Sequence, residues 1–279
     1  MRCLSIKVEK CLKDIFNNER VVKEMVKSIK KPIIVKCIEE KMSLPIELRE
    51  KIDAFWEEQL QKNPHLFNGT VWNVTKLQER PMELELTVEK TDYAHYLYDE
   101  RHGIEDEYAC HNLFSAVLIK TADNFLVIGE LDETTSYPRC LQLAGGGIDE
   151  KDRVADNFDM VKTAQRELKE EMNLDLQNKQ QIERYGFAYL EVPEGDRHSY
   201  SVILKANSNL TADQIQTHFE EYKTYLKQTN GETEFERLHF LPEGKAVETL
   251  GTLDNPQRIY VKQMLALEDR QVQREENER

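Results

Sequence analysis

The sequence predicts an α/β fold of the α+β kind, with strands and helices interleaved along the chain. Two observations point to the fold. Short runs rich in β-branched and aromatic residues, Phe114 to Ile119, Phe125 to Leu131, Tyr185 to Val192 and Tyr200 to Lys205, read as strands, and Leu84 to Val88 alternates cleanly. Elsewhere apolar residues recur every three or four positions, in Val161, Ala164, Leu168 and Met172 and in Ile215, Phe219, Tyr222 and Leu226, as in helices with one face against a core. A third observation bears on chemistry. Glu167, Glu170 and Glu171 share an arc of about 100° on the first of those helices, beside its apolar stripe.

The N-terminal elements follow in order. Val8, Leu12, Ile15, Phe16, Val22, Met25 and Ile29 lie among charges and predict one or two helices around Asn17-Asn18, stopped by Pro32. Ile33-Ile34-Val35 is a short buried strand. Pro45 suits the first turn of a helix running to about Lys62, with Ile46, Ile52, Phe55 and Leu60 as its apolar side. Asn68-Gly69 marks a tight turn before Thr70 to Lys76, which pairs with Leu84 to Val88. Thr91 to Arg101 carries Tyr93, His95, Tyr96 and Tyr98, an aromatic segment that packs against a neighbouring domain, with stacking on a nucleobase as the competing use. His95, His102 and His111 lack metal-ligand spacing and read as surface or core histidines.

From Leu113 the character shifts. Thr121-Ala122-Asp123-Asn124 joins two strands into a hairpin, and Cys140 to Leu143 is a strand entering Gly145-Gly146-Gly147. The glutamate helix follows, then a second hairpin across Pro193-Glu194-Gly195-Asp196. Thr211 with Gln214 forms a capping box for the next helix. Arg237 to Leu241 is a further strand. The last helix begins near Pro256 and frays into Gln271 to Arg279, which is too charged to pack. This divides the chain into an α+β region at 1–108, for substrate recognition or dimerisation, a main domain at 109–270 and a disordered tail at 271–279.

Composition narrows the partners. With 38 basic and 52 acidic residues the net charge is -14, which argues against duplex nucleic acid, whose binders cluster Lys and Arg on phosphates. Cys3, Cys11, Cys37, Cys110 and Cys140 form no Cys-x-x-Cys pair and no zinc spacing. No apolar run approaches about 18 residues, so the chain reads as soluble and cytoplasmic, with no membrane partner. A homodimer remains open as a way to cover the aromatic N-terminal region.

Like charges at helical spacing cost a few tenths of a kcal/mol per pair, a cost that a bound cation would reverse. Oxygen-only ligands favour magnesium or manganese. The competing reading is a solvated face laced by Lys162, Arg166 and Lys169, worth little per pair. The context decides between them. Arg166-Glu167-Leu168-Lys169-Glu170-Glu171-Met172-Asn173-Leu174 resembles the second half of the Nudix box, Arg-Glu-apolar-x-Glu-Glu-x-Gly-apolar. Leu143-Ala144-Gly145-Gly146-Gly147-Ile148-Asp149 resembles its strand end and Gly-Gly-x-apolar-acidic opening. Asn173 replaces a glycine at a left-handed helix end, which Asn tolerates, and Ala144 stands where many members have proline. The largest departure is length: Gly146 to Arg166 spans twenty positions against fourteen in the family. About six residues are therefore inserted within Glu150 to Asp159, and Asp156 and Asp159 are the two candidates for the family's mid-box glutamate.

The resemblance implies a Nudix-type mixed-sheet α/β/α sandwich from about residue 109 onward. It also implies a divalent-metal-dependent hydrolase that cleaves a diphosphate linkage in a nucleoside diphosphate joined to another group, such as a nucleotide-sugar or ADP-ribose. Glu167, Glu170 and Glu171 would be metal ligands with the Gly146 carbonyl, and Arg166 would orient a carboxylate by a bidentate contact. Of Glu232, Glu234 and Glu236, Glu234 is the choice for a further base or ligand, against a solvated loop. Phe55-Trp56-Glu57 and Asn63 to Thr70 are similar to the leading region of some nucleotide-sugar hydrolases of this family. The alternative function is a non-catalytic nucleotide-sensing module acting through a partner. An isoprenoid diphosphate isomerase would need a cysteine and a second glutamate that find no place in this sequence.

Overall fold

The nine residues from Asn112 to Lys120 sort by parity onto two cores. Leu113, Val117 and Ile119 join one apolar cluster, while Ala116 and Leu118 join another on the opposite side, as the two-residue period of a strand buried on both faces requires. The computed structural model describes residues 25–64, 66–135, 137–193 and 199–278. The helices expected before Met25, Cys3 and Cys11, and the turn expected at Glu194 to Asp196 lie outside the described residues.

In chain order the strands are β1 (Val26–Ser28), β2 (Ile33–Lys41), β3 (Thr70–Glu79), β4 (Leu84–Asp92), β5 (Asn112–Lys120), β6 (Phe125–Leu131), β7 (Leu141–Gln142), β8 (Ala144–Gly147), β9 (Arg153–Val154), β10 (Asn157–Phe158), β11 (Ile182–Glu191), β12 (Ser199–Ser208) and β13 (Phe235–Pro242). The helices are α1 (Ile46–Lys62), α2 (Tyr93–His102), α3 (Met160–Met172), α4 (Ala212–Thr229), α5 (Ala246–Leu250) and α6 (Ile259–Asn277). Among the described residues thirteen strands form one mixed sheet, in the order β1-β11-β12-β5-β3-β4-β2-β10-β9, with β6, β7, β8 and β13 branching from β5 and β6. Strand β5 runs parallel to β12 and antiparallel to β8. The cluster containing Val117 and Leu204 also holds Ala164, Leu168 and Phe219 of α3 and α4. The cluster containing Leu118 and Ile203 holds Val261, Met264 and Leu265 of α6. Helices thus cover both faces of the central strands.

The strands before residue 108 continue that sheet. Asn73 of β3 lies opposite Asn112 of β5, and Val35, Trp72 and Leu86 share a cluster with Leu113 and Ala164. Helices α1 and α2 pack on each other through Ile52, Trp56, Ala94 and Leu97. The aromatic segment after Thr91 is helix α2, opened by Asp92, whose side chain accepts from the His95 N–H. It contacts the C-terminal region through Glu100, which accepts from the Tyr137 hydroxyl at 2.5 Å. His95 is a core histidine, bonded to Thr91 at 2.7 Å and to the Tyr108 carbonyl at 2.9 Å.

Four local expectations change. Val26 to Ser28 is a strand, because Val26 is buried opposite Glu191 at the sheet edge. Strands β5 and β6 pair only at Ile119–Val127 and Lys120–Leu126 and then diverge, because β8 takes the place beside β5. Helix α6 continues to Asn277 past the expected fraying point, with Val272 against Gly244. Gly145, Gly146 and Gly147 themselves lie in an extended strand beyond the one expected at Cys140 to Leu143: none of them has a positive φ. What it needs is space. A Cβ on Gly145 would lie 2.3 Å from the Ser115 carbonyl oxygen, whereas one on Gly147 would meet nothing within 4 Å. Among the described residues no helix is long and apolar enough to cross a membrane.

Gly145→Ala is expected to lower unfolding stability by at least about 2 kcal/mol through overpacking against backbone, and Gly147→Ala to stay within about 0.5 kcal/mol of wild type. Urea unfolding of the two variants distinguishes them, and equal losses would refute the account of this strand.

Candidate active site

Helix α3 carries the glutamates because its other stripe is anchored. Ala164, Leu168 and Met172 are buried, and the carbonyl of Met160 accepts from Ser115 Oγ at 3.0 Å. Asp159 caps the first turn, and Asn173 ends the helix in the left-handed conformation at φ 55. The carbonyls left over at this end are taken by other elements. Tyr222 donates to Glu170, Thr233 to Glu171 and His218 Nε2 bonds Asn173, each at 2.9 Å.

The three glutamates occupy three different environments. Glu171 is buried, and its Oε2 accepts from the Gly145 N–H at 2.8 Å. Desolvation pushes its carboxyl well up, with Glu234 and Glu167 adding to the shift and the Gly145 bond opposing it. Glu167 lies against Gly146, where a Cβ would be 2.5 Å from Oε1. Desolvation raises it to about 7, against the pull of Arg166 and with help from Glu170 and Glu234. Glu170 has a side chain 55% exposed at the rim. Glu234 retains an exposed surface, and desolvation raises its carboxyl. Its backbone is held to β6 by the Asp132 N–H, which donates to the Glu234 carbonyl at 2.8 Å. Glu236 faces elsewhere, paired with Lys223 at 3.2 Å, and Glu232 is exposed.

Arg166 ties these groups to the incoming loop. Its Nη2 donates to Asp152 Oδ2 at 2.9 Å and to the Gly147 carbonyl at 2.9 Å, and its Nε lies 3.2 Å from Asp152 Oδ1. Nη1 reaches Glu167 at 2.5 Å and Glu170 at 3.3 Å. Desolvation works against the guanidinium charge, but Asp152 and Glu167 more than offset it. Asp152 is 1% exposed at its side chain. Burial would raise its carboxyl, yet hydrogen bonds from Arg166 and the Asp149 N–H hold it below the usual range.

Asp152 is thus the carboxylate that partners Arg166, and neither Asp156 nor Asp159 does so. Asp156 is 98% exposed at its side chain, and Asp159 is spent on the helix cap. The sequence did hold a signal for Asp152. Asp149-Glu150-Lys151-Asp152 is a reciprocal capping box around a short 3₁₀ turn at Glu150–Asp152, which places the fourth residue inward.

The arrangement gathers buried carboxylates against one guanidinium. Among the described residues, no group of three or more His, Cys, Asp or Glu side chains is drawn together closely enough to hold a metal ion, and Arg166 reaches two of the glutamates. The donor chemistry nonetheless fits a hard divalent cation: oxygen atoms alone, in a crowded setting where desolvation, with repulsion between the carboxylates adding to it, raises Glu167 and Glu171. A separate cleft of about 830 Å³ lies on the α6 side of the sheet, lined by Lys120, Arg184, Lys205, Glu243 and Glu268. Its lysines are already paired, Lys120 with Glu243 and Lys205 with Glu268, both at 2.5 Å.

Removing Asp152 leaves a desolvated guanidinium with Glu167, Glu170 and the Gly147 carbonyl but without its most buried partner, so Asp152→Ala is expected to cost about 2 kcal/mol or more in urea unfolding; a loss under about 1 kcal/mol would refute the clamp. The raised carboxyls give a pH signature of the opposite sign to ordinary acid denaturation. Between about pH 4.5 and 7 the folded protein binds protons at Glu167 and Glu171 that the unfolded chain releases, so stability falls as pH rises through this range. In chelator, the Tm is expected to climb as pH is lowered from about 8 to about 5.5, and a flat or falling Tm would contradict the burial of these groups.

No family model matches the chain, and no curated protein matches it. Solved structures do. A MutT protein from Methanosarcina mazei Go1 aligns over 57% of this chain and 93% of its own, at 10% identity and a TM-score of 0.35. An Ap4A hydrolase from C. elegans aligns over 55% and 92%, at 15% identity and a TM-score of 0.34. The Nudix domain of Shewanella oneidensis NrtR, complexed with ADP ribose, aligns over 63% and 96%, at 14% identity and a TM-score of 0.35. Likenesses this loose carry no argument about what the chain does.

Proposed function

We propose that this chain is a Nudix-type hydrolase that cleaves the diphosphate linkage of a nucleoside diphosphate joined to another group, such as a nucleotide-sugar or ADP-ribose. The observation that carries the reading is the Glu167–Glu171–Glu234 cluster against Gly145 and Gly146, with Arg166 held from behind by Asp152. A diphosphate is protected from attack by its own negative charge. A divalent cation, magnesium or manganese, supplies the positive charge that offsets it and acidifies an attacking water.

The chain's own residues do the rest. Glu167, Glu170 and Glu171, with the Gly146 carbonyl, would hold the cation, with Glu167 and Glu170 released from Arg166. Arg166 keeps Asp152 and the Gly147 carbonyl as partners and so fixes the glycine strand relative to α3. Glu234, raised by desolvation, accepts the proton of the attacking water. Water oxygen bonds to one phosphorus, the bridging oxygen leaves with the other, and two monophosphate products result. The region 1–108 contributes substrate recognition or a dimer contact.

A second reading rests on Arg166 reaching both Glu167 and Glu170, which fills with a guanidinium the space a cation would take. On that reading the chain senses a nucleotide and acts through a partner without turnover.

A panel of nucleotide-sugars, nucleoside diphosphate-riboses and nucleoside triphosphates, assayed with magnesium and with manganese, separates the two. The hydrolase reading expects metal-dependent release of monophosphates from at least one diphosphate, and Glu170→Gln lowering turnover at least about tenfold, or about 1.4 kcal/mol of barrier, with folding retained. Unchanged turnover in that variant would remove Glu170 from the site.

A further inference from the structure

Both ends of the inserted loop belong to the site. Asp152 at its start grips Arg166. Asp159 at its end accepts from the Val161 and Lys162 N–H groups at 2.9 and 3.2 Å. The two ends meet, the Asp159 N–H donating to the Asp152 carbonyl at 3.2 Å. Between them β9 and β10 form a hairpin of two residues a side, with Ala155 in its turn at φ 53. A hairpin this short has no stability of its own.

What stabilises it is the N-terminal part of the sheet. Asn157 and Phe158 pair with Lys36 and Val35 of β2, and the Cys37 N–H donates to the Asp156 carbonyl at 3.1 Å. Phe158 is buried with its ring centroid 4.6 Å from that of Trp72. Arg153 bridges Glu39 of β2, the Glu150 carboxylate at 3.2 Å and the Ala155 carbonyl at 2.8 Å. Lys90 of β4, over the Trp72 ring, reaches Glu150 at 3.3 Å. The tip of the insertion therefore belongs to strands β2–β4, and its base belongs to the clamp.

We propose that the β9–β10 hairpin is a strut through which strands β2–β4 position Asp152 and the first turn of α3, making Phe158 and Arg153 positioning residues for the glutamate site. When the tip is released, the Asp152 backbone loses its brace and Arg166 is left to its other partners, Glu167 and Glu170. The strut acts on the machinery and not on the substrate, so its loss lowers kcat and cation affinity and spares KM. Its effect on turnover rests on the hydrolase reading, whereas its mechanical effect does not.

The test uses hydrogen exchange on the full chain, comparing wild type, Phe158→Ala, Phe158→Leu and Arg153→Ala, with manganese titration and steady-state kinetics on a diphosphate that the wild type turns over. The expected result is faster exchange, by at least about tenfold, in 160–168 as well as in 33–38 for Phe158→Ala, with recovery in Phe158→Leu. Manganese affinity and kcat fall by at least about fivefold while KM stays within about twofold. If Phe158→Ala does not fold, Arg153→Ala decides by the same criterion. Faster exchange confined to 33–38 and 153–158, with manganese affinity unchanged, overturns the strut. Exchange that spreads into 160–168 in a protein inactive on every diphosphate supports the strut and overturns the hydrolase reading.

Discussion

The buried pair between Arg166 and Asp152 is the constraint on which the rest of the site depends. It joins three successive pieces of chain: the glycine strand through the Gly147 carbonyl, the loop after it through Asp152, and the glutamate helix that carries Arg166 itself. Such a pair is costly to desolvate and is worth having only where its remaining hydrogen bonds are met. Here they are. Asp152 also accepts from the Asp149 N–H at 3.1 Å, and the guanidinium divides its donors between Asp152, Gly147, Glu167 and Glu170. Once this clamp is in place, the spacing between β8 and α3 follows, and so does the closeness of Gly146 to Glu167.

Burial then differentiates carboxylates that are chemically alike. Glu171 faces Gly145 from inside the protein, Glu167 stands at the boundary and Glu170 at the rim, so one helix face holds carboxylates at three depths, and desolvation raises the inner two. The strain of keeping them together is borne by packing on the other face of α3 and by Tyr222, Thr233 and His218 at its end. Destabilised groups held by a stable scaffold are what a binding or catalytic site requires.

Much of this was legible in the residues. The stripe of Ala164, Leu168 and Met172 foretold which face of α3 is buried, and the spacing of Glu167, Glu170 and Glu171 foretold which face carries the acids. Thr211 and Gln214 form the expected capping box. That the glycines themselves form a strand was not legible, because conformational freedom and lack of bulk leave the same mark in a sequence, and here only the second is used. Asp152 was missed because the inserted length blurred the register, and its burial depends on Arg166, fourteen residues away. Strand β10 was missed because two residues carry no period. Long-range pairing leaves almost no local trace, and what it brings together is visible only in three dimensions.

The pairing of Val35 with Phe158 and of Val26 with Glu191 has a kinetic meaning. Contacts between segments so far apart in the chain close large loops, and they form slowly because the entropy of closure is lost before the contact repays it. Local helices such as α3 can appear early, but the brace that orients its acidic face arrives only when the first strands find the middle of the chain. The alignment of the glutamate face therefore depends on the slowest class of contact in the fold and not on the propensity of the helix that carries it.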